Sequence, residues 1–547
     1  MRKIFFLLLV FLMGCNPEPK TIIAPWVAYD ESAELAENAN HKSRKMQFKR
    51  IQSQILDKNE MWNNVADQIS NFSEEDYQTL KPFIFEQNIL SIQSYIESGD
   101  LTYETLTQWY LYRIVKYEND KDKMLNAIVA FNPDAVKEAR IKDKNKSSAD
   151  HPIYGMPILL KDNTNAEGMT TTAGTHFLRN NRAPDAFIVE RLKENGAIIL
   201  GKTNLSEWAN FLFLGGPNGY SAVGGQTLNP YGRKKFDTGG SSSGSGAAIA
   251  ANYATAAVGT ETSGSILSPS SHNSIVGLKP TVGLLSRSGI VPLSSTLDTP
   301  GPMTRNVIDN AIFLSAMSGE DEADPATKNN PKDKKYLEDL KSGSLKGLRF
   351  GANKNFLKDS VFKATLEKLI ALGSHVIEFK AADVDFDGFG DLLSADMRID
   401  LPIYLNEYAS DEITLRTMKE IVGYNNEDTL ARIPYGQARF EGATTVDISQ
   451  EDLILLRERL QKEGTRYFEI PMMEYQLDAI LSINNRGAGY AAAAKYPCLT
   501  IPMGYLENGD PMGLTFIARP FEEDKLLKIA FAFEQATKMR KSPKEYN

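Results

Sequence analysis

Apolar positions along this chain fall into two alternating patterns, and the alternation predicts its architecture. "NILSIQSYIESGDLTYETLTQWYLYRIVKYEN" carries Ile, Leu, Tyr and Trp at three- and four-residue intervals, broken at Gly99-Asp100. That spacing predicts two helices joined by a turn. "PIYGMPILLKDN" differs: its short apolar run ends at Lys161-Asp162-Asn163, as a buried strand entering a loop would. "DAFIVERLKENGAIILGKTN" reads as a helix, a glycine turn and a strand over Ala197 to Leu200. "SGAAIAANYATAAVGTETSG" repeats that order, with a small-residue helix and a strand around Ala256 to Gly259. In the tail, "NRGAGYAAAAKYPCLTIPMGY" predicts an alanine-rich helix, a turn and the strand Leu499 to Met503. "EDKLLKIAFAFEQATKMR" then predicts an amphipathic helix. Helices alternating with short apolar strands place the chain in the α/β class, with a mostly parallel or mixed sheet. Residues 335 to 470 are charge-rich with few clean motifs, and read as a lobe over that sheet. No solenoid period, heptad run or long low-complexity tract occurs.

The ends change the picture. "MRKIFFLLLVFLMGC" opens with Arg2 and Lys3 and continues as an unbroken apolar run from Ile4 to Met13. The run is too short to span a hydrocarbon core and suits an export signal. Leu12-Met13-Gly14-Cys15 resembles a bacterial lipoprotein processing box, whose cysteine receives lipid and becomes the new N-terminus. The resemblance implies a signal peptide over 1–15 with lipidated Cys15. It also implies an exported chain held to a bacterial membrane, the periplasmic side of the outer membrane, by acyl chains rather than a spanning helix. Residues 16–75 read as a tether and an N-terminal helical segment, and 76–547 as the main domain. The chain has two cysteines, so acylation of Cys15 leaves Cys498 without a disulfide partner. A formal charge of -9 favours solubility and argues against nucleic acid as a partner.

Candidate chemistry is concentrated in three places. None of the histidines (41, 151, 176, 272 and 375) is placed by local pattern against a serine. H-E-x-x-H, C-x-x-C, EF-hand and P-loop spacings do not occur, so no metal and no cofactor is expected. Lys161, leaving an apolar run, sits where burial would penalise its charge, and a neutral amine can accept a proton. Taken alone, it equally suits a lysine snorkelling from a strand end. Two segments rich in Ser and Gly, "GGSSSGSG" (239–246) and "GTETSGSILSPS" (259–270), alter that reading. A hydroxyl is a poor nucleophile until a base takes its proton, and a second hydroxyl can relay that proton. Gly239-Gly240 permits close backbone approach beneath Ser241, and Gly264 does so before Ser265. Amide N–H groups between Thr262 and Ser265 could face an oxygen that turns negative. On composition alone, flexible or anion-binding loops fit these segments as well.

The motifs taken together resemble the amidase signature family. The resemblance runs from roughly residue 85 to 545, through "NAIVAFNPDA", "YGMPILLKDN", "GKTNLSEWANF", "GGQTLNPY", "GGSSSGSGAAIA", "GTETSGSI", "VGLKPTVGLLSRSGIVP" and "DTPGPMTR", in this order. It implies one domain, a large mixed β-sheet surrounded by helices, and a Ser-cisSer-Lys relay. The family's lysine falls on Lys161, its middle serine on Ser241 after a cis peptide bond, and its nucleophile on Ser265. Ser242 falls on a supporting position that orders the lysine, and Thr262, Ser263 and Gly264 on the oxyanion hole. The implied activity is hydrolysis of a linear carboxamide through an acyl-Ser265 intermediate.

Two departures bear on this. Many members read D-x-G-G-S where this chain reads "ETSGS", so Glu261 replaces aspartate and Ser263 adds a side chain while keeping its backbone donor. Members with T-E-T-x-G-S include peptide amidase-like enzymes, which favours small amides or C-terminal peptide amides as substrate. Lys495 stands where many members have glycine, an expected effect at the pocket rim, and Cys498 is expected to pack as a small apolar group. The alternatives are an ester or aryl-acylamide hydrolase, a non-catalytic lipid-anchored binding protein, and the family's glutaminase-type subunit. The apparent export signal argues against the last, which needs cytoplasmic partners. No obligate protein partner is expected.

Overall fold

The continuous apolar run that ends at Lys161 becomes a strand buried along its whole length, the middle of a three-strand parallel unit. The computed structural model describes residues 21–147, 151–331 and 336–547. The expected signal peptide and Cys15 lie outside the described residues. In the first half of the chain, the strands are β1 (Ile128–Phe131), β2 (Pro157–Lys161), β3 (Ile198–Thr203), β4 (Tyr220–Ser221), β5 (Gly225–Gln226) and β6 (Ala256–Glu261). The remaining strands are β7 (Val276–Lys279), β8 (Thr299–Thr304), β9 (Arg349–Asn353), β10 (His375–Phe379), β11 (Ala479–Ile483), β12 (Cys498–Tyr505) and β13 (Pro511–Ile517). β4 and β5 form a small ladder, and the other eleven strands form one sheet in the order β1-β3-β2-β6-β8-β7-β12-β13-β11-β9-β10. β3, β2 and β6 run parallel, as do β11, β9 and β10, and the remaining neighbours are antiparallel. The sheet is mixed, as expected.

The helices arise where the 3.6-residue period predicts them: Ile89–Ser98 and Tyr103–Glu118 either side of Gly99, Phe187–Glu194, Ser243–Ala250, Ala488–Ala493 and Glu523–Thr537. Thr102 caps the second of these by accepting the Thr105 N–H. The Ser243–Ala250 helix is buried throughout, which its Gly, Ala and Ser composition allows by letting neighbouring backbone approach closely. One large core joins side chains as far apart as Trp62, Trp109, Leu160 and Phe516. It includes Met46, Ile51 and Val65, so the segment expected to be a tether and N-terminal helical segment packs against the body through helices such as Lys58–Ile69.

The charge-rich stretch differs from expectation. It contributes β9 and β10 to the sheet edge before forming helices Phe389–Glu407, Met418–Asn426, Ala438–Thr445 and Gln450–Glu474. Leu401, Tyr404, Ile421 and Phe440 of these helices pack on Trp208 and Phe211 in a second core. The edge strand β10 escaped the sequence reading because "HVIEF" buries only Phe379 and so lacks a clear inside–outside pattern. Among the described residues, no helix is long and apolar enough to cross a membrane.

Candidate active site

β2 and β6 are parallel neighbours, with Leu160 opposite Val258, so Lys161 and Glu261 emerge from the same edge of the sheet. Carboxyl ends of parallel strands are the usual place for ligand chemistry in such sheets. Lys161 is 0% exposed, and its Nζ lies 2.8 Å from Ser241 Oγ, 2.8 Å from Thr260 Oγ1 and 3.0 Å from the Thr260 carbonyl. Among the described residues, no carboxylate comes within ion-pair distance of it. Burial lowers its pKa from 10.5 to about 7, against opposing pulls from Asp298 and Glu261. A neutral amine has two N–H donors and one lone pair. Thr260 offers two acceptors, which leaves the lone pair for the Ser241 hydroxyl.

Ser241 is held from behind. The Gly240–Ser241 peptide is cis, and the Ser241 carbonyl accepts the Ser206 N–H at 3.0 Å. Gly239 has φ +68°, and a Cβ there would lie 2.7 Å from the Pro269 backbone. The close approach excludes a side chain, and the positive φ disfavours one. We therefore expect Gly239→Ala to shift the Ser241 segment and lower kcat by about 100-fold, as positioning errors near 1 Å do. Steady-state kinetics check this, and unchanged kcat would contradict it.

The second Ser/Gly segment is organised by Glu261. Its Oε1 accepts the Gly264 N–H at 2.7 Å, and its Oε2 accepts the N–H groups of Ile266 (2.7 Å) and Leu267 (3.0 Å). The carboxylate thus clamps the turn into the Leu267–His272 helix. This corrects one assignment. The Gly264 N–H is spent on Glu261 and is not available to an oxyanion. The N–H groups of Thr262, Ser263 and Ser265 have no acceptor among the described residues, so Ser265 takes the place of Gly264 as a free donor. Thr262 is further fixed by its hydroxyl, which donates to Asp298 at 2.5 Å, while Asp298 also accepts the Leu293 and Ser294 N–H groups at 2.7 and 2.9 Å.

Ser265 is 9% exposed, and its carbonyl accepts the Ser242 N–H at 3.1 Å. The structure thereby brings the two Ser/Gly segments together. Among the described residues, however, no hydrogen bond joins the Ser241 and Ser265 hydroxyls. Ser242 does not bond Lys161 directly. Its hydroxyl donates to the Thr260 carbonyl at 3.1 Å and accepts the Thr260 N–H at 3.2 Å, so it orders the lysine through the oxygen that Lys161 also contacts. Thr260 is the residue the sequence reading missed. A strand-end threonine carries no signal until its neighbours are known. Asn163, which donates to Thr260 Oγ1 at 3.0 Å, was missed for the same reason.

A cavity of about 290 Å³ opens beside this cluster, reaching Asn163, Thr260 and Thr262 but not Ser265 itself. Its lining is largely apolar and includes Val291, Leu293, Ile403 and Tyr404. Lys495 is partly buried near Arg287, and Cys498 is fully buried with its thiol pushed up to about 12 by burial. Among the described residues, no group of three or more His, Cys, Asp or Glu side chains is placed to hold a metal ion.

The family model described as Amidase matches residues 106–420, more than half of the chain. An Arabidopsis thaliana protein named as a probable amidase is 36% identical over 477 residues, covering 84% of this chain and 92% of that protein. The crystal structure of an amidase family protein from Bacillus anthracis superposes with a TM-score of 0.86 at 35% identity, covering 90% of this chain and 99% of that one. Native peptide amidase from Stenotrophomonas maltophilia superposes with a TM-score of 0.79 at 36% identity, covering 84% and 98%. With the motifs in order, the mixed sheet and these relatives, the chain belongs to the amidase signature family of carbon–nitrogen bond hydrolases.

Proposed function

We propose that this amidase hydrolyses a linear carboxamide, a C-terminal peptide amide or another small amide, through an acyl enzyme on Ser265. The observation that carries the reading is a fully buried lysine, without a carboxylate partner among the described residues, whose nitrogen lies 2.8 Å from Ser241 Oγ. Neutral Lys161 takes the Ser241 proton as Ser241 takes that of Ser265. Ser265 Oγ attacks the amide carbon, and the N–H groups of Thr262, Ser263 and Ser265 face the developing oxyanion. The relay then returns a proton to the leaving nitrogen, which departs as ammonia or an amine. Water attacks the ester by the same route and releases the carboxylic acid. The relay needs the Ser265 hydroxyl to come within hydrogen-bond reach of Ser241 Oγ.

A panel of peptide amides, amino-acid amides, anilides, fatty amides and matched esters, compared by kcat/KM, tests this. The proposed function predicts release of ammonia from primary amides and no release by Ser265→Ala. Turnover of esters alone would assign an ester hydrolase instead, and turnover of none a binding protein. We further propose that the chain is exported and anchored through lipidated Cys15, a reading supported by the sequence of residues 1–15. Radiolabelled palmitate should then enter the wild-type chain in a bacterial host and not Cys15→Ser; equal labelling of both would contradict it.

A further inference from the structure

The cavity beside Lys161 carries more negative charge than the mechanism uses. Its charged lining consists of three carboxylates, Asp298, Asp324 and Asp400, and one guanidinium, Arg287. Arg287 is committed to Asp324, with contacts of 2.8 and 2.5 Å. Asp298 is compensated by the Thr262 hydroxyl and two backbone N–H groups. Neighbouring Asp396 is paired with Arg457 and accepts the Ser294 hydroxyl. Asp400 is left over. It is 7% exposed, and one of its oxygens accepts the Ser295 N–H at 2.6 Å. Among the described residues, Ser295 is its sole hydrogen-bonding residue and no cationic side chain forms an ion pair with it; Arg287, held by Asp324, attracts it only at longer range. Lys495 feels Arg287 but does not line the cavity.

A buried carboxylate without a contacting cation is costly, and repulsion from Asp396 and Asp298 adds to that cost. Burial and these neighbours hold its pKa up at about 6, so it still ionises at neutral pH. The cost is offset when a ligand brings a positive charge. A neutral Lys161 places no opposing charge nearby. The cavity is also in the right place for the bulk of a substrate. A primary amide loses only ammonia, so everything else it carries lies on the acyl side, next to the loop containing Thr262. A volume of about 290 Å³ with apolar walls suits one amino-acid residue.

We propose that this cavity selects acyl groups bearing a free ammonium, of which α-amino-acid amides with aliphatic or aromatic side chains are the simplest, and that the Asp400 carboxylate binds the ammonium. The inference rests on the amide-hydrolase reading for its position beside Ser265, and on the unpaired carboxylate for its charge preference.

The test compares L-leucinamide with 4-methylpentanamide, its analogue lacking the amino group, at pH 7 on the wild type and on Asp400→Asn. Asparagine keeps an oxygen for the Ser295 N–H. Loss of one partner of a buried charge contact predicts a wild-type kcat/KM ratio of about 30-fold or more in favour of leucinamide, falling below about 3-fold in Asp400→Asn. Equal kcat/KM for the two amides on the wild type would overturn the proposal, as would an equal loss on both in the variant. Calorimetric binding of isopentylammonium and 3-methylbutan-1-ol to the wild type requires no turnover. Tighter binding of the ammonium by about 30-fold supports the subsite even if no amide is hydrolysed, which would count against the proposed function alone. Equal binding of the two would overturn the subsite.

Discussion

Lys161→Met will lower kcat/KM for a primary amide by at least about 1000-fold, at the upper end of what a positioned proton-transfer group contributes. The size follows from two roles that the proposed relay gives one nitrogen. It accepts the proton that Ser241 passes on from Ser265, and it supplies the proton that lets nitrogen leave. Ser265→Ala will lose activity to at least the same extent, so kinetics alone do not distinguish base from nucleophile. Stability does. The unfolded chain keeps the lysine proton up to about 10.5, whereas the folded chain keeps it only below about 7. Between those values the unfolded state binds more protons, so wild-type stability rises with pH across that window. Below about 7 the folded protein carries the full cost of a buried charge. Lys161→Met removes this slope and is the more stable protein at pH 6, while Ser265→Ala retains it. Denaturant titrations at several pH values separate the two variants, and an unchanged slope in Lys161→Met would contradict a neutral lysine.

The second large effect concerns the neighbour of Lys161. Asp162 and Lys202 form an ion pair at 3.2 Å, both essentially without solvent exposure. Burial pushes each toward its neutral form. Yet Lys202 also donates to Thr171 Oγ1 at 2.8 Å, and Asp162 accepts both the hydroxyl and the N–H of Thr172. Those extra partners favour the charged pair. Lys202→Met leaves the carboxylate buried and unpaired one residue from Lys161. Breaking such a pair costs about 3–5 kcal/mol, whereas removing both charges costs much less. The expected result is a large loss of stability in Lys202→Met and a substantial recovery in Lys202→Met with Asp162→Asn, read by urea unfolding as a double-mutant cycle. A loss below about 1 kcal/mol in the single variant would show that the pair carries little charge.

What could be read in advance follows from how local each signal is. The strand ending at Lys161 was legible because a strand buried on both faces reads as an unbroken apolar run. The helices before and after Gly99 were legible from their own period and glycine stop. Lys161, Ser241 and Ser265 were recognised through motif order, not through any local rule that joins them. The contacts of Lys161 were not legible. Thr260 reaches it from an adjacent strand 99 residues away. Nor was the fate of the Gly264 N–H, since the direction of the Glu261 side chain depends on the turn it closes. Asp400 lies in a helix whose sequence gave no specific reading, and it acquires meaning only beside Ser295, 105 residues earlier.

Everything turns on whether an uncharged amine at Lys161 activates Ser265. The most direct measurement is the pH dependence of Ser265 phosphonylation by a fluorophosphonate, followed by intact mass, which needs no knowledge of the natural substrate. The predicted wild-type rate climbs about tenfold per pH unit in the acid range, levels off above about 7 as Lys161 loses its proton, and is lost in Ser265→Ala. A rate that does not vary with pH, or label that persists in Ser265→Ala, would contradict it.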